Sequence, residues 1–474
     1  EQAKIDSIWQ KKAVAELKQN ALKEVNSLIF EFTTKYLSAS SPLTNINMSS
    51  AFNAKKVIGG GSGEFAVITA DSAAVEGEYT INEIISLAKE ASIASSGAVS
   101  ASADNKINLS TQLKDLALGT QLQFSSGFIS FNINGNDFTF SESDTLNTVI
   151  STVNRSDAGV TMSYSSLSDG LTVKSKAKGA DSAFVISDVS ESNFFAAFNI
   201  SGGTVNNGTN AVLRINNYMV EQNSNVFTID GITYNLLKST SNETSFVVTQ
   251  DVDSIYNRIK GFIDGYNELV KTLNDKISEP VYRTFLPLTD SQRAEMSESE
   301  IKAWEEKSNS GMLNRDSNIS QLLFNIRNAF SQSIEGLGIT FAEIGITTGD
   351  WREKGLMHIN ETKLKNAIAN NPQGVCDLFT KKVTTGDSQA KYNQSGLVER
   401  INISINKYTA YVKDTTLVYT ERQIKDYSDK ISRAIEKMNE KENEYYRQYA
   451  ILEKAMASMN SQSNYFLSLL YGGF

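Results

Sequence analysis

Hydrophobic positions in the first 37 residues recur at Leu17, Ala21, Val25, Leu28 and Phe32, steps of three and four that put them on one stripe of a helix. Ser38, Ser40, Ser41 and Pro42 end it. From about 45 to 250 the texture changes to Ser, Thr, Asn and Gly interleaved with β-branched and aromatic residues, which predicts strands and turns. At Asp251 the period returns to three and four, and Val252, Ile255, Ile259, Phe262, Tyr266, Leu269 and Leu273 form an unbroken heptad seam. A second seam runs through Ile424, Tyr427, Ile431, Ile435 and Met438. It is interrupted by Glu442, resumes at Tyr445, Tyr449, Leu452, Met456 and Met459, and passes Ser463 to Phe466 and Leu470. A helix of about fifty residues with so narrow a stripe cannot bury it alone, so it must pack on other long helices or on neighbouring subunits.

One element of the middle region repeats. Phe131–Phe140 and Phe227–Leu236 share the pattern F-x-I-[ND]-G-x-x-[FY]-x-[FL], each a hairpin turning on Asn-Gly or Asp-Gly, dipeptides that accept the positive φ of a primed turn. The first copy runs into Asp144, read as an N-cap, and a helical face of Leu146, Val149, Ile150 and Val153, with strands following at Val160–Tyr164 and Leu171–Lys174. This predicts a ββαββ module over 122–203. Strands around Phe65–Thr69, Tyr79–Ile81, Ala211–Ile215, Val226–Leu237 and Thr244–Gln250 predict a second β domain, 45–121 with 204–250, that the module interrupts. In the last third, Ser297-Glu-Ser-Glu300 is a capping box opening a short helix, and Ile319, Leu323, Ile326 and Phe330 mark another. Ile339–Ile346 and Leu356–Ile359 read as a small hairpin before a helix from about Glu361. The fold class is therefore α+β and multidomain. Residues 1–44 and 251–474 build a coiled-coil or helical-bundle leg, and a β-rich head of two modules is inserted into it.

Composition narrows the function. The 474 residues are 40% hydrophobic, enough for several cores. Forty-five basic against fifty-four acidic residues give a net charge of −9, the wrong sign for phosphate backbones, so no nucleic-acid partner is expected. No stretch is long and apolar enough for membrane insertion. The chain opens on Glu1 inside a helical pattern and without a secretory signal, so further N-terminal sequence is expected before it. A single cysteine, Cys376, excludes an intramolecular disulfide and reads as a small buried apolar residue. Only four prolines occur, where average usage would give about two dozen, in keeping with long uninterrupted elements.

No enzymatic constellation emerges. Ser-His-Asp, Cys-His and His-rich zinc sites would all have to use the lone His358, which sits in an ordinary strand or turn sequence. Gly59–Gly63 has the glycines of a phosphate loop but is followed by the strand-like Phe65–Thr69 where a helix N-terminus is required. Glu305 and Glu306 lie at i, i+1 on a polar helix face and do not converge. Tyr445, Tyr446 and Tyr449 read as aromatic core or interface. The chain is therefore expected to be no enzyme and to need no cofactor and no metal.

Two blocks are more specific. Tyr282–Lys307, running on to Gly311–Asp316, and Tyr449–Gln462 resemble the C-terminal region of the flagellar filament-capping family, hook-associated protein 2. Leu356–Phe379 and the Phe131–Leu146 hairpin and helix are similar to further segments of that family. The resemblance implies a structural cap at the distal end of the bacterial flagellar filament. The cap would be a homo-oligomer forming a small closed ring, under which exported flagellin folds and inserts. It also implies hook-filament junction proteins and an export chaperone as partners, and secretion through the flagellar channel to the extracellular tip. The expected assembly interface is the two seams, Val252–Leu273 and Tyr445–Leu470. An alternative or additional role is that of a surface adhesin binding host mucus or glycans through the β head.

Overall fold

The structure is a computed structural model that describes residues 1–60, 63–189 and 191–471. The chain divides into two compact units, a helical one of residues 1–52 and 252–474 and a β-rich one of residues 53–251. The helical unit opens with α1 (Gln2–Tyr36), whose buried residues Leu22, Val25, Ile29 and Phe32 form the inward stripe. A short 3₁₀ turn at Ser49–Phe52 completes this first passage.

The β unit comes next in chain order. It contains β1 (Lys55–Gly59), β2 (Ala66–Ala70), β3 (Gly77–Ser86), β4 (Glu90–Ala94), β5 (Phe128–Ile133), β6 (Asn136–Ser141), α2 (Leu146–Arg155), β7 (Val160–Ser165) and β8 (Gly170–Lys178). Then come β9 (Phe184–Asp188), α3 (Phe194–Ala197), β10 (Gly203–Val205), β11 (Ala211–Ile215), β12 (Tyr218–Gln222), β13 (Val226–Ile229), β14 (Ile232–Leu236) and β15 (Thr244–Gln250). A five-stranded sheet, β1-β15-β3-β11-β12, and a three-stranded one, β13-β14-β2, enclose one core that includes Ile81, Leu213, Tyr234 and Phe246. The sheets β10-β9-β5-β6 and β4-β8-β7, with α2 and α3, enclose another, centred on Phe131, Phe194, Phe195 and Phe198. Both repeated hairpins form as read, with Asn134-Gly135 at φ 52 and 80 and Asp230-Gly231 at φ 49 and 77.

Two expectations are corrected, and the sheet membership of the ββαββ unit, which its sequence pattern left open, is added. The division between the β modules lies between Ala88 and Ala91, not at 121, because β4 pairs with β8 and the irregular segment after it plugs Val99, Leu113, Leu116 and Leu118 into the second core. The two hairpins of the ββαββ unit belong to different sheets. Thr145, not Asp144, caps α2, its hydroxyl accepting from the Thr148 amide at 3.2 Å, while the Asp144 carboxylate accepts from the Ser141 amide at 2.8 Å.

The chain then returns to the helical unit through α4 (Val252–Ser278), α5 (Asp290–Ala294), α6 (Glu298–Asn309) and α7 (Ser317–Ser331). After these lie β16 (Ile346–Thr348), β17 (Met357–Ile359), α8 (Glu361–Asn370), α9 (Pro372–Thr380), α10 (Ser388–Gln394), α11 (Leu397–Tyr411) and α12 (Val418–Tyr471). Residues Val412–Leu417 join the last two as a π-helical stretch. The small hairpin is shorter than expected. Residues 339–345 are a turn, in which Thr340 and Glu343 exchange side-chain to backbone hydrogen bonds and Phe341 and Ile344 drop into the core three apart. An aromatic chain holds this unit together. Phe32 and Tyr36 of α1 meet Phe262 of α4, which meets Phe379 of α9, which meets Phe52 and Phe341.

Candidate assembly surface

The two predicted seams have opposite fates. In α4, Ile255, Ile259, Phe262, Tyr266, Leu269 and Leu273 are all buried, and Val252 is partly so. Tyr266 donates its hydroxyl to the Gly355 carbonyl at 3.2 Å, and burial holds its phenol well above the usual range. This seam is consumed by the core of its own unit, so the chain folded as one copy does not offer it to a neighbour. Heptad spacing cannot distinguish the two cases, because an intramolecular bundle and an intermolecular coil bury the same stripe.

The second seam is open. Antiparallel to α1, α12 runs from the π-helical stretch to Lys441, whose ammonium lies 2.6 Å from the Glu1 carboxylate. That carboxylate holds the lysine above its ordinary pKa. A cleft of about 700 Å³ lies here, walled by Met438, Tyr445, Tyr446 and Tyr449. From Tyr445 onward Tyr449, Leu452, Met456, Met459, Phe466 and Leu470 come at heptad positions, all between 58% and 74% exposed. The exposed apolar surface is wider than the seam, because Tyr446, Ile451, Tyr465 and Leu467 flank it. A helix apolar over more than one narrow face fits burial on more than one side. Those flanking positions break the strict heptad, so heptad spacing does not reveal them.

The block at 282–307 folds against α1. The Trp304 indole donates to the Leu286 carbonyl at 2.7 Å, the Phe285 ring sits 4.6 Å from that of Trp304, and the Lys307 ammonium lies 4.5 Å from the Phe285 ring centroid. Gln10 of α1 donates to the Pro287 carbonyl at 3.1 Å. Thr289 and Ser297 each close a full capping box at α5 and α6. Val281, Tyr282 and Leu286 remain exposed on its surface.

Among the described residues, the side chains singled out as chemistry candidates do not converge. His358 is an exposed β17 residue whose imidazole lies 2.5 Å from Glu353. Cys376 is buried, which pushes its thiol pKa up, away from reactivity. Glu305 pairs with Arg293 on the surface. Of the glycine-rich turn, Gly61 and Ser62 lie outside the described residues, and the next element along the chain is the strand β2, not a helix. Among the described residues no cluster of His, Cys, Asp or Glu could hold a metal, and no helix is long and apolar enough to cross a membrane.

Comparison with known proteins accounts for the same elements. Residues 208–461 match the family model for the flagellar hook-associated protein 2 C-terminus, and residues 1–91 that for its N-terminus. The flagellar hook-associated protein 2 of Halalkalibacterium halodurans is 26% identical over 98% of this chain and 94% of its own length. That of Thermotoga maritima is 25% identical over 76% of this chain and 57% of its own. The crystal structure of the flagellar cap protein D1-D2-D3 domains from Escherichia coli superimposes with a TM-score of 0.55 over 83% of this chain and 96% of that one, at 20% identity. With more than half its length matched by the family model, this chain belongs to the flagellar hook-associated protein 2 family, whose members are structural cap proteins of the bacterial flagellum and not enzymes.

Proposed function

We propose that this protein caps the distal end of the flagellar filament, outside the cell, as a small closed ring of identical copies, and that exported flagellin folds and inserts beneath it. The observation that carries the reading is the open α12 stripe. Seven large side chains in heptad register stand exposed on a single helix. Burying each contributes about 1.5–3 kcal/mol, so a structure that covers several at once gains enough to hold subunits together or to grip a filament end. The mechanism is spatial: subunits held by their helices bound a space in which flagellin completes its fold. Hook-filament junction proteins and an export chaperone are the further partners this role calls for.

Sedimentation velocity of the purified chain tests the oligomer. The expected result is a discrete closed species at high concentration that shifts towards monomer in Met456→Glu/Met459→Glu, which puts two charges on the stripe. A chain that stays monomeric at every concentration, or an assembly indifferent to the double substitution, contradicts the role given to this surface.

A further inference from the structure

The helical unit carries a second unused surface, a groove between α7 and α11. α7 buries Ile319, Leu322, Ile326 and Phe330 and leaves Asn318, Gln321, Asn325, Asn328 and Gln332 on its outer side, at steps of three and four. That is a row of carboxamides along about 21 Å of helix. The facing wall is α11, with Ile403, Ser404, Lys407, Tyr408 and Tyr411. Two cavities, of about 160 and about 350 Å³, share Asn325, Ser404 and Lys407 and so form one groove.

The fold leaves these polar groups largely unemployed. Gln321 bonds only to its neighbour Asn325, at 2.9 Å. The side chains of Asn318, Asn328, Gln332 and Lys407 make no hydrogen bond or ion pair among the described residues. Tyr408, 5% exposed, is a lining residue of the groove, and its buried hydroxyl has no partner among the described residues. A buried hydroxyl left unpaired is costly, which marks this wall of the groove as polar and unsatisfied.

The chemistry selects the occupant. A carboxamide is the side-chain equivalent of a peptide unit, with donors and an acceptor but no charge, so a row of them pairs with a main chain whatever its side chains are. Helices and sheets already use their own N–H and C=O groups, whereas an extended segment presents them free. Lys407, the one charged lining residue, suits main-chain carbonyls, and the exposed Phe324 and Ile403 offer apolar contact to passing side chains. We propose that the groove between α7 and α11 binds an extended polypeptide segment through its main chain. At about 3.3 Å per residue it holds about six residues. The proposal goes beyond the capping role, and its test reads binding by the purified chain, independent of filament growth.

The probe is a fluorescein-labelled peptide of about eight residues, composed of Ala, Ser, Thr and Val, together with the same peptide N-methylated at alternate residues. Saturable fluorescence anisotropy is expected with the first and none with the second. Asn325→Ala/Asn328→Ala should bind about tenfold more weakly with unchanged melting, while Asn325→Gln/Asn328→Gln keeps most of the binding. Should the alanine variant not fold, the comparison of the two peptides on the unaltered chain still decides. Absence of saturable binding, equal binding of the methylated peptide, or equal binding by the folded alanine variant overturns the proposal. So does a change in the chain's sedimentation on substitution with no peptide bound, which would make the groove a contact between copies.

Discussion

Replacing Arg400 with Met should destabilise the helical unit by about 3–5 kcal/mol, the cost of breaking a buried charge network from one side. Arg400 is fully buried and makes no salt bridge among the described residues. Its guanidinium instead donates to five backbone carbonyls: Ala329, Gln332 and Ser333 at the end of α7, and Tyr392 and Asn393 in the last turn of α10, at 2.7–3.3 Å. The C-terminal ends of both helices carry partial negative charge and carbonyls without intrahelical partners, so one cation satisfies two helix ends. The Tyr392 ring lies 5.2 Å from the guanidinium carbon. Methionine fills much of the volume but takes the donor away from all five acceptors, of which only the Asn393 carbonyl keeps another, the Glu335 amide at 3.1 Å. Lysine keeps the charge with three donors in place of a planar fork, so Arg400→Lys should cost less, about 2 kcal/mol. The three tryptophans, Trp9, Trp304 and Trp351, all belong to the helical unit, so their fluorescence in a urea titration follows that unit alone. An Arg400→Met transition within about 0.5 kcal/mol of the unaltered chain would refute this account of how α7, α10 and α11 are joined.

Three further outcomes are expected. Gly265→Ala drives a methyl into the Tyr36 ring, so it should cost about 1–3 kcal/mol by the same titration, and Tyr36→Leu should recover part of that in a double-mutant cycle. Gly231→Ala and Gly135→Ala strain equivalent turns, but only the first drives its methyl into backbone, 2.5 Å from the Ala74 amide nitrogen, so thermal unfolding should fall clearly further for Gly231→Ala. Burial pushes the Asp169 carboxyl up, but hydrogen bonds from Tyr164 and Ser100 outweigh it and leave its pKa below the ordinary range. Its contribution is therefore complete above the unfolded value of about 3.9 and is lost as pH falls through the lower folded value. Exchange protection at the Ser100 amide, which donates to this carboxylate, should weaken over that acid range, and Asp169→Asn should abolish the pH dependence.

The helices were legible because their stripes repeat over many turns, as in α1, α4 and α12, and the two hairpins because Asn-Gly and Asp-Gly leave few other turns open. The module boundary at Ala88–Ala91 was not, since Val99, Leu113, Leu116 and Leu118 enter the core from irregular chain that carries no period. The candidate surface was half legible. Val252–Leu273 and Tyr445–Leu470 have the same spacing, and only the fold separates a stripe already covered from one still open. The α7 carboxamides and Arg400 were invisible for a related reason. Polar residues opposite an apolar stripe look like ordinary solvated surface, and a single arginine gives no hint that five carbonyls converge on it.

The role given to α12, holding the cap on the filament, meets its sharpest test when the gene is returned to a cap-deficient bacterium in two forms, intact and ending after Tyr449. Flagellin in the medium is then compared with flagellin on cells. The truncation removes Leu452, Met456, Met459, Phe466 and Leu470, all exposed, and touches no buried side chain among the described residues. The intact gene should restore filaments while the truncated one leaves them short or missing, with flagellin released as monomer. Filaments of full length and normal secretion from the truncated gene would contradict that role.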